Sequence, residues 1–226
     1  TGVIFHWWIF FSEQIRTAHM PNQAKWYFDF VSPFSYLQFR RLDRLPPALE
    51  YEMVPVLFAG LLKHWEHKGP AEIQPKRVDT YRHCQWLAGH LGVPFQMPQA
   101  HPFNPLPYLR LCISLGGSRE IVGTIFDYIW TEGAPVHTDA GIQSLTDRLQ
   151  VENLPHLFDS QAAKQELRAN TEQAIAEGVY GVPTFVVNTE RFWGLDQMEM
   201  LSEWFANQEE MTQISTKRFT TFPSGL

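Results

Sequence analysis

The chain has 226 residues, 44% of them hydrophobic and 14% aromatic, enough to bury a sizeable core as one large domain or two small ones. Its 18 basic and 24 acidic residues leave a formal charge of -6, without the concentrated basic patch that a phosphate backbone requires, so nucleic acid is excluded as a partner. The two cysteines, Cys84 and Cys112, are too few for a secreted disulfide scaffold; a reducing, cytoplasmic compartment fits, and each thiol reads as a small buried hydrophobe.

Residues 1–19, TGVIFHWWIFFSEQIRTAH, carry a short apolar stretch with no basic leading segment and no small-x-small cleavage site, too short to span a bilayer. No membrane association is expected. They read as an irregular N-terminal extension, either non-native or an arm packing on a partner, and Met20 followed by PNQAK reads as a natural start. AKWYFDFV, rich in aromatic and β-favouring residues, predicts a buried strand. A helix follows, with Ser32 as N-cap, Pro33 at the first helical position, and Phe34, Leu37, Leu42 and Leu45 on a loose apolar face. LEYEMVPV predicts a second strand, parallel to the first because a helix separates them.

Between about Ala59 and Gln165 no strand pattern occurs, and KRVDTYRHCQWLAGHLG, LPYLRLCISLG and REIVGTIFDYIWTEG predict helices closed by glycines. SQAAKQELRANTEQAIAEG predicts a further helix from Ser160 to Gly178, followed by two short β segments, PTFVVN and ERFWG. The last helix is expected to start at Asp196, where Asp196-x-x-Glu199 has capping-box spacing, with Met198, Leu201 and Phe205 on its buried stripe. The tail after about Met211 reads as irregular and loosely held.

The order βαβ, helical block, αββα predicts an α/β, thioredoxin-like fold with an all-helical domain inserted between its halves. Residues 20–58 and 166–210 form the thioredoxin-like domain, 59–165 the insertion and 211–226 the tail. Val182-Pro183 opens a strand in GVYGVPTFVVN; a proline that begins a strand beside an active site is often cis, and a cis bond is expected here.

FDFVSPFSYL, PVLFAGLLKHWEHKGPAEIQPK, GVYGVPTF and FWGLDQMEML together resemble the branch of the DsbA-like superfamily that includes 2-hydroxychromene-2-carboxylate isomerases and kappa-class glutathione transferases. The resemblance runs from about Lys25 to Ala206. Ser32-Pro33-Phe34-Ser35 stands where redox relatives have Cys-x-x-Cys, so the chain has no dithiol to cycle at that turn. A serine hydroxyl is a poor nucleophile without a base, and no Ser-His-Asp arrangement is evident. At a helix N-terminus it can instead donate a hydrogen bond to the thiolate of bound glutathione. Amides and the helix dipole assist, and such positions lower a thiol from about 8.5 to roughly 3.5–7.5. Simple helix capping is the competing role for Ser32.

The resemblance further implies that glutathione is the cofactor. The main chain of Val182, before Pro183, would pair with the cysteinyl residue, the amides of Leu195 and Asp196 with the γ-glutamyl carboxylate, and the Asp196 side chain with its ammonium. A family lysine maps onto Lys76 and a kappa-class asparagine onto His67, both for the glycyl carboxylate. His67 in place of an amide and Leu195 in place of a polar residue depart from the pattern. Asn104 matches an asparagine of the isomerase substrate pocket, with turn-capping before Pro105 as the alternative. Phe34, with Phe58, Trp65 and Trp193, could line a slot for a flat ring. His64-x-x-His67, with His83, His90 and His101, lacks the partners of a metal site, and none is expected. The activity implied is a glutathione-dependent isomerase of a small aromatic carboxylate. Two alternatives are a transferase acting on another electrophile and a non-catalytic glutathione or peptide binder. A homodimer is implied by the family likeness.

Overall fold

The computed structural model describes residues 24–151, 160–208 and 210–220; the expected N-terminal extension lies outside them. Strand β1 (Ala24–Phe28) is central, with β2 (Tyr51–Pro55) parallel on one side and β3 (Thr184–Val187) antiparallel on the other. β4 (Glu190–Trp193) pairs antiparallel with β3, giving a four-stranded sheet in the order β2-β1-β3-β4. The parallel β1–β2 pair requires a crossover, supplied by helix α1 (Pro33–Phe39), whereas two residues suffice to join β3 to β4. α1 is shorter than its sequence pattern suggests: Leu42 falls in a separate 3-10 turn, Leu42–Arg44, and Leu45 just beyond it.

β1 is covered on both faces, which suits its mostly apolar sequence; Lys25, its one charged residue, is half-buried and pairs with Glu177 at 2.6 Å. Trp26 and Phe28 join the larger core, while Tyr27 joins a smaller one with Val54, Val56, Leu61, Ala174 and Val186. Helices α2 (Phe58–His64) and α7 (Gln161–Ala176) contribute to the smaller face. Between them lie α3 (Gln74–Leu91), α4 (Leu106–Ser114), α5 (Arg119–Trp130) and α6 (Asp139–Arg148). Hydroxyls of Ser118, Thr138 and Ser160 cap α5, α6 and α7 by accepting an amide N–H three residues on.

Phe126 of α5 fills the corner between β1 and α1. Its ring lies 4.8 Å from Phe30, 5.7 Å from Phe28 and 5.4 Å from Phe39, centre to centre. Burying such a ring contributes about 3 kcal/mol or less from area alone, and it ties the helical block to the turn carrying Ser32.

The C-terminal half departs from expectation at two places. α8 (Met198–Ala206) begins after a 3-10 turn at Leu195–Gln197, and the Asp196–Glu199 capping box does not form. The Gln197 side chain instead accepts the Trp193 N–H at 2.8 Å, because Gly194 at φ 91° turns the chain sharply between strand and helix. Met198, Leu201 and Trp204 are the fully buried members of the α8 stripe, with Phe205 half-buried. The tail is also more regular than expected: a 3-10 turn at Glu210–Ile214 precedes the short helix α9 (Thr216–Thr220). Glu190 holds it, accepting from the Ser215 hydroxyl at 2.7 Å and the Thr216 N–H at 2.6 Å. Burial would raise that carboxyl, but these donors and Arg191 outweigh it and keep it below the usual range. No helix among the described residues is long and apolar enough to cross a membrane.

Candidate functional site

Ser32 lies at the C-terminal end of β1, where the chain leaves the sheet through Asp29-Phe30-Val31 and enters α1. Each peptide of this turn is held from outside. The Asp29 carboxylate accepts the Val31 N–H at 3.1 Å and the Phe58 N–H at 2.8 Å, linking the turn to the start of α2. The indole of Trp130 donates to the Phe30 carbonyl at 2.9 Å, and His101 Nε2 is 2.8 Å from the Val31 carbonyl. The Ser32 N–H donates to the Asp29 carbonyl at 3.1 Å. Asp29 is fully buried, and burial pushes its carboxyl up to about 7 against the opposing effect of the Phe58, Val31 and Phe30 N–H groups.

Ser32 is 7% exposed. Its Oγ accepts the Ser35 N–H at 3.2 Å and so caps α1, with Pro33 in the first turn as expected. The Ser32 hydroxyl donates to the carbonyl of Val182 at 3.4 Å, a long bond whose proton is weakly held. The second hydroxyl of the motif, Ser35 Oγ, is buried and has no hydrogen-bond partner among the described residues.

The Val182–Pro183 bond is cis, as the sequence suggested. Around it, the Thr184 hydroxyl donates to the Gly181 carbonyl at 2.8 Å and the Gly194 N–H to the Pro183 carbonyl at 2.9 Å. Three half-exposed aromatics rim this loop. Trp65 donates its indole N–H to the Val179 carbonyl at 2.9 Å, Tyr180 packs edge-on to Trp193 at 5.1 Å, and Trp193 lies over Gly181. A buried amide joins the loop to the core: Gln38 accepts from the Trp26 indole at 2.6 Å and donates to the Gly194 carbonyl at 2.9 Å.

The structure therefore brings together Ser32, Val182 and Pro183, with Leu195 and the exposed Asp196 one turn away through Gly194. Other expected residues stand differently. His67 is exposed, with Nδ1 3.4 Å from the neighbouring Lys68 carbonyl. Lys76 is exposed on the first turn of α3, whereas the next residue, Arg77, is half-buried and its charge acts on Tyr81 and His101. Position 77, one step beyond the position read from the sequence, carries the inward cation. Asn104 accepts the Leu106 N–H at 3.1 Å, so its side-chain oxygen caps the turn into α4, the alternative role read from the sequence. Phe34 is half-buried and meets His83 edge-on at 5.9 Å, apart from the Trp65–Trp193 rim of the cis-proline loop.

Cys84 and Cys112 are free and buried, and burial pushes each thiol up to about 12, which removes both as nucleophiles at neutral pH. Among the described residues no three His, Cys, Asp or Glu side chains converge as a metal site. His83 and His90 flank the exposed Trp86.

The sequence-based reading did not pick out Asp29, Gln38, Arg77, Tyr81 and Trp130, and named His101 only among histidines dismissed as a metal site. Only Asp29 left a signal, an acid inside the apolar run Phe28 to Val31. Gln38 lies on α1 itself, while Arg77, Tyr81, His101 and Trp130 belong to the helical block and reach the turn only through the tertiary fold.

A sheet of this order with a helix N-terminus facing a cis-proline loop defines a thioredoxin-like protein, here with Ser32 and Ser35 at the turn that opens α1. The DSBA-like thioredoxin domain matches residues 24–206, and the chain belongs to that family. It is 26% identical over 211 residues to a protein named glutathione S-transferase kappa 2 of Caenorhabditis elegans, covering 83% of this chain and 94% of that one. It is likewise 26% identical over 196 residues to a 2-hydroxychromene-2-carboxylate isomerase of Pseudomonas putida, covering 77% and 90%. The structure of a 2-hydroxychromene-2-carboxylate isomerase superposes with a TM-score of 0.72 at 23% identity, over 86% of this chain and 100% of that one.

Proposed function

We propose that this protein is a glutathione-dependent isomerase acting on a small aromatic carboxylate of the 2-hydroxychromene-2-carboxylate type. The observation that carries this reading is the Ser32 hydroxyl, which caps α1 through Ser35 N–H and has its proton on a 3.4 Å contact to Val182. A hydroxyl so placed can turn its proton to a stronger acceptor at little cost, since the bond it gives up is long. The residues present fit glutathione. Main chain at Val182 and Pro183 lies beside the hydroxyl, Asp196 offers an exposed carboxylate for an ammonium, and half-buried Arg77, with the exposed Lys76 and His67, is the candidate partner for a carboxylate. Bound glutathione would supply a thiolate able to add to an electrophilic carbon and leave again. The chain's own part is to hold that sulfur at the α1 N-terminus, where the hydroxyl and helix dipole favour its ionised form. The rim of Trp65, Tyr180 and Trp193, each 40–46% exposed, suits a flat ring and shields it from water.

Isothermal titration with millimolar glutathione tests the reading, and absence of binding removes it. A transferase is the second reading, favoured by the equally similar kappa-class relative. Turnover of a chromene carboxylate with full recovery of free glutathione supports the isomerase, and its stoichiometric loss with a chloro-nitroaromatic supports the transferase. A non-catalytic binder, which His67 and Leu195 would allow, would leave the thiol of bound glutathione near its free value.

A further inference from the structure

We propose that His101, braced by Tyr81, is a positioning residue that fixes the Val31–Ser32 peptide and so aims the Ser32 hydroxyl. The proposal rests on the reading of Ser32 given above and adds residues which that reading does not use. The Val31 carbonyl can only accept, so the ring nitrogen 2.8 Å from it, Nε2, must carry a hydrogen. In the neutral ring Nδ1 is then an acceptor, and the Tyr81 hydroxyl lies 2.6 Å from it. The same hydroxyl is 3.0 Å from the His101 carbonyl, so its single proton serves either the ring nitrogen or that carbonyl, and the shorter contact is to the ring.

The neutral form is the one the surroundings favour. Burial lowers the His101 pKa and the Arg77 charge lowers it further, while the bond to Val31 opposes them. Arg77 and Tyr81 face the ring from α3, and the Trp130 indole and Phe103 ring pack on it from elsewhere in the helical block. Trp130 holds the preceding carbonyl, that of Phe30, in the same way. Two ring N–H donors from the helical block thus grip consecutive carbonyls immediately before Ser32. Burial of a histidine for packing alone would not require its donor to meet that one carbonyl, nor a tyrosine to fix its tautomer.

The test compares wild type, His101→Phe, which keeps a ring without donors, and His101→Gln, whose amide can donate where Nε2 did. Amide hydrogen exchange in protein without ligand is read over residues 29–36, with α8 as internal reference. Exchange in the turn is expected to rise roughly tenfold in H101F, the loss of one hydrogen bond, and to return towards wild type in H101Q. With glutathione, H101F is expected to raise the thiol pKa followed at 240 nm and to lower kcat more than it raises KM, again with rescue by H101Q. Unchanged exchange at 29–36 in H101F, or H101Q behaving as H101F, overturns the proposal. Should wild type fail to bind glutathione, the Ser32 reading alone falls and the exchange result still decides on His101. Should H101F not fold, Tyr81→Phe replaces it: imidazole 15N shifts are expected to show loss of the pure Nε2–H tautomer, and an unchanged tautomer overturns the role of Tyr81.

Discussion

The Ser32 hydroxyl meets the carbonyl of Val182 across 150 residues of chain, at 3.4 Å. One bond thus joins the N-terminal βαβ half to the cis-proline loop. Because the bond is long and the acceptor neutral, the proposed mechanism requires this hydroxyl to turn its hydrogen bond to an arriving thiolate.

Replacing Ser32 by alanine removes that donor and leaves the main chain of Val182 in place. Glutathione binding is expected to weaken little, while the thiol pKa in the complex rises towards about 8.5 and kcat/KM falls by about 10²–10³. The variant also loses its α1 cap, about 1 kcal/mol of stability. Thermal melting will show that loss separately from the absorbance titration at 240 nm. A thiol pKa unchanged by the substitution would end the mechanism.

Gln38 deserves the next substitution, because its amide couples the core to the Gly194 turn. In Gln38→Leu the Trp26 indole N–H loses its acceptor inside the core and the Gly194 carbonyl loses its donor. An orphaned buried donor costs about 1–3 kcal/mol, so the urea midpoint should drop accordingly. Gly194 leads directly into Leu195 and Asp196, so affinity for glutathione should fall with it. A variant destabilised but binding normally would show that Gln38 serves the core alone.

The strand and helix order was legible because β1 is apolar apart from Lys25, proline opens β3, and capping hydroxyls at Ser32 and Ser160 sit at the right spacing. The capping box at Asp196 misled because Gly194 permits a tight 3-10 turn that shifts the helix start to Met198. On α3 a step of one rotates a side chain by about 100°, and only the structure shows that Arg77 faces inward. The grip of His101 and Trp130 on the Ser32 turn was invisible for a different reason: neither residue has any local pattern linking it to a loop some 70 or 100 positions away.

Asp29 gives the fold a pH dependence of determinate sign. Burial raises its carboxyl to about 7, against about 3.9 in an unfolded chain. Between those values the folded protein keeps a proton the unfolded chain has released, so stability declines as pH rises through the window. The contribution is intact below about pH 4 and gone above about pH 7. Asparagine at position 29 cannot titrate and cannot accept both N–H groups. At pH 4.5 the D29N variant should be less stable than wild type by about 1–3 kcal/mol. The gap should narrow by up to about 1.4 kcal/mol per pH unit and close or reverse sign by neutrality. Urea unfolding of both proteins at several pH values measures it, and a gap independent of pH would mean Asp29 is not the titrating group.

Gly181 tests how closely the aromatic rim is fitted to the cis-proline loop. A Cβ there would lie 2.6 Å from Trp193 Nε1, closer than real contacts allow, so Gly181→Ala must displace the indole. Trp193 is 46% exposed and has room to move outward, which keeps the expected cost to about 1–2 kcal/mol. The functional effect should exceed the structural one. Trp193 is held by Gln197 through its N–H and by Tyr180 through its ring, so its displacement disturbs the Gly194–Asp196 turn as well as the rim. Combining G181A with Trp193→Ala removes the clash, so the double variant should be more stable than the sum of the single effects predicts. Additive costs in a double-mutant cycle would show that Gly181 is required for the backbone path of the loop and not for the space taken by Trp193.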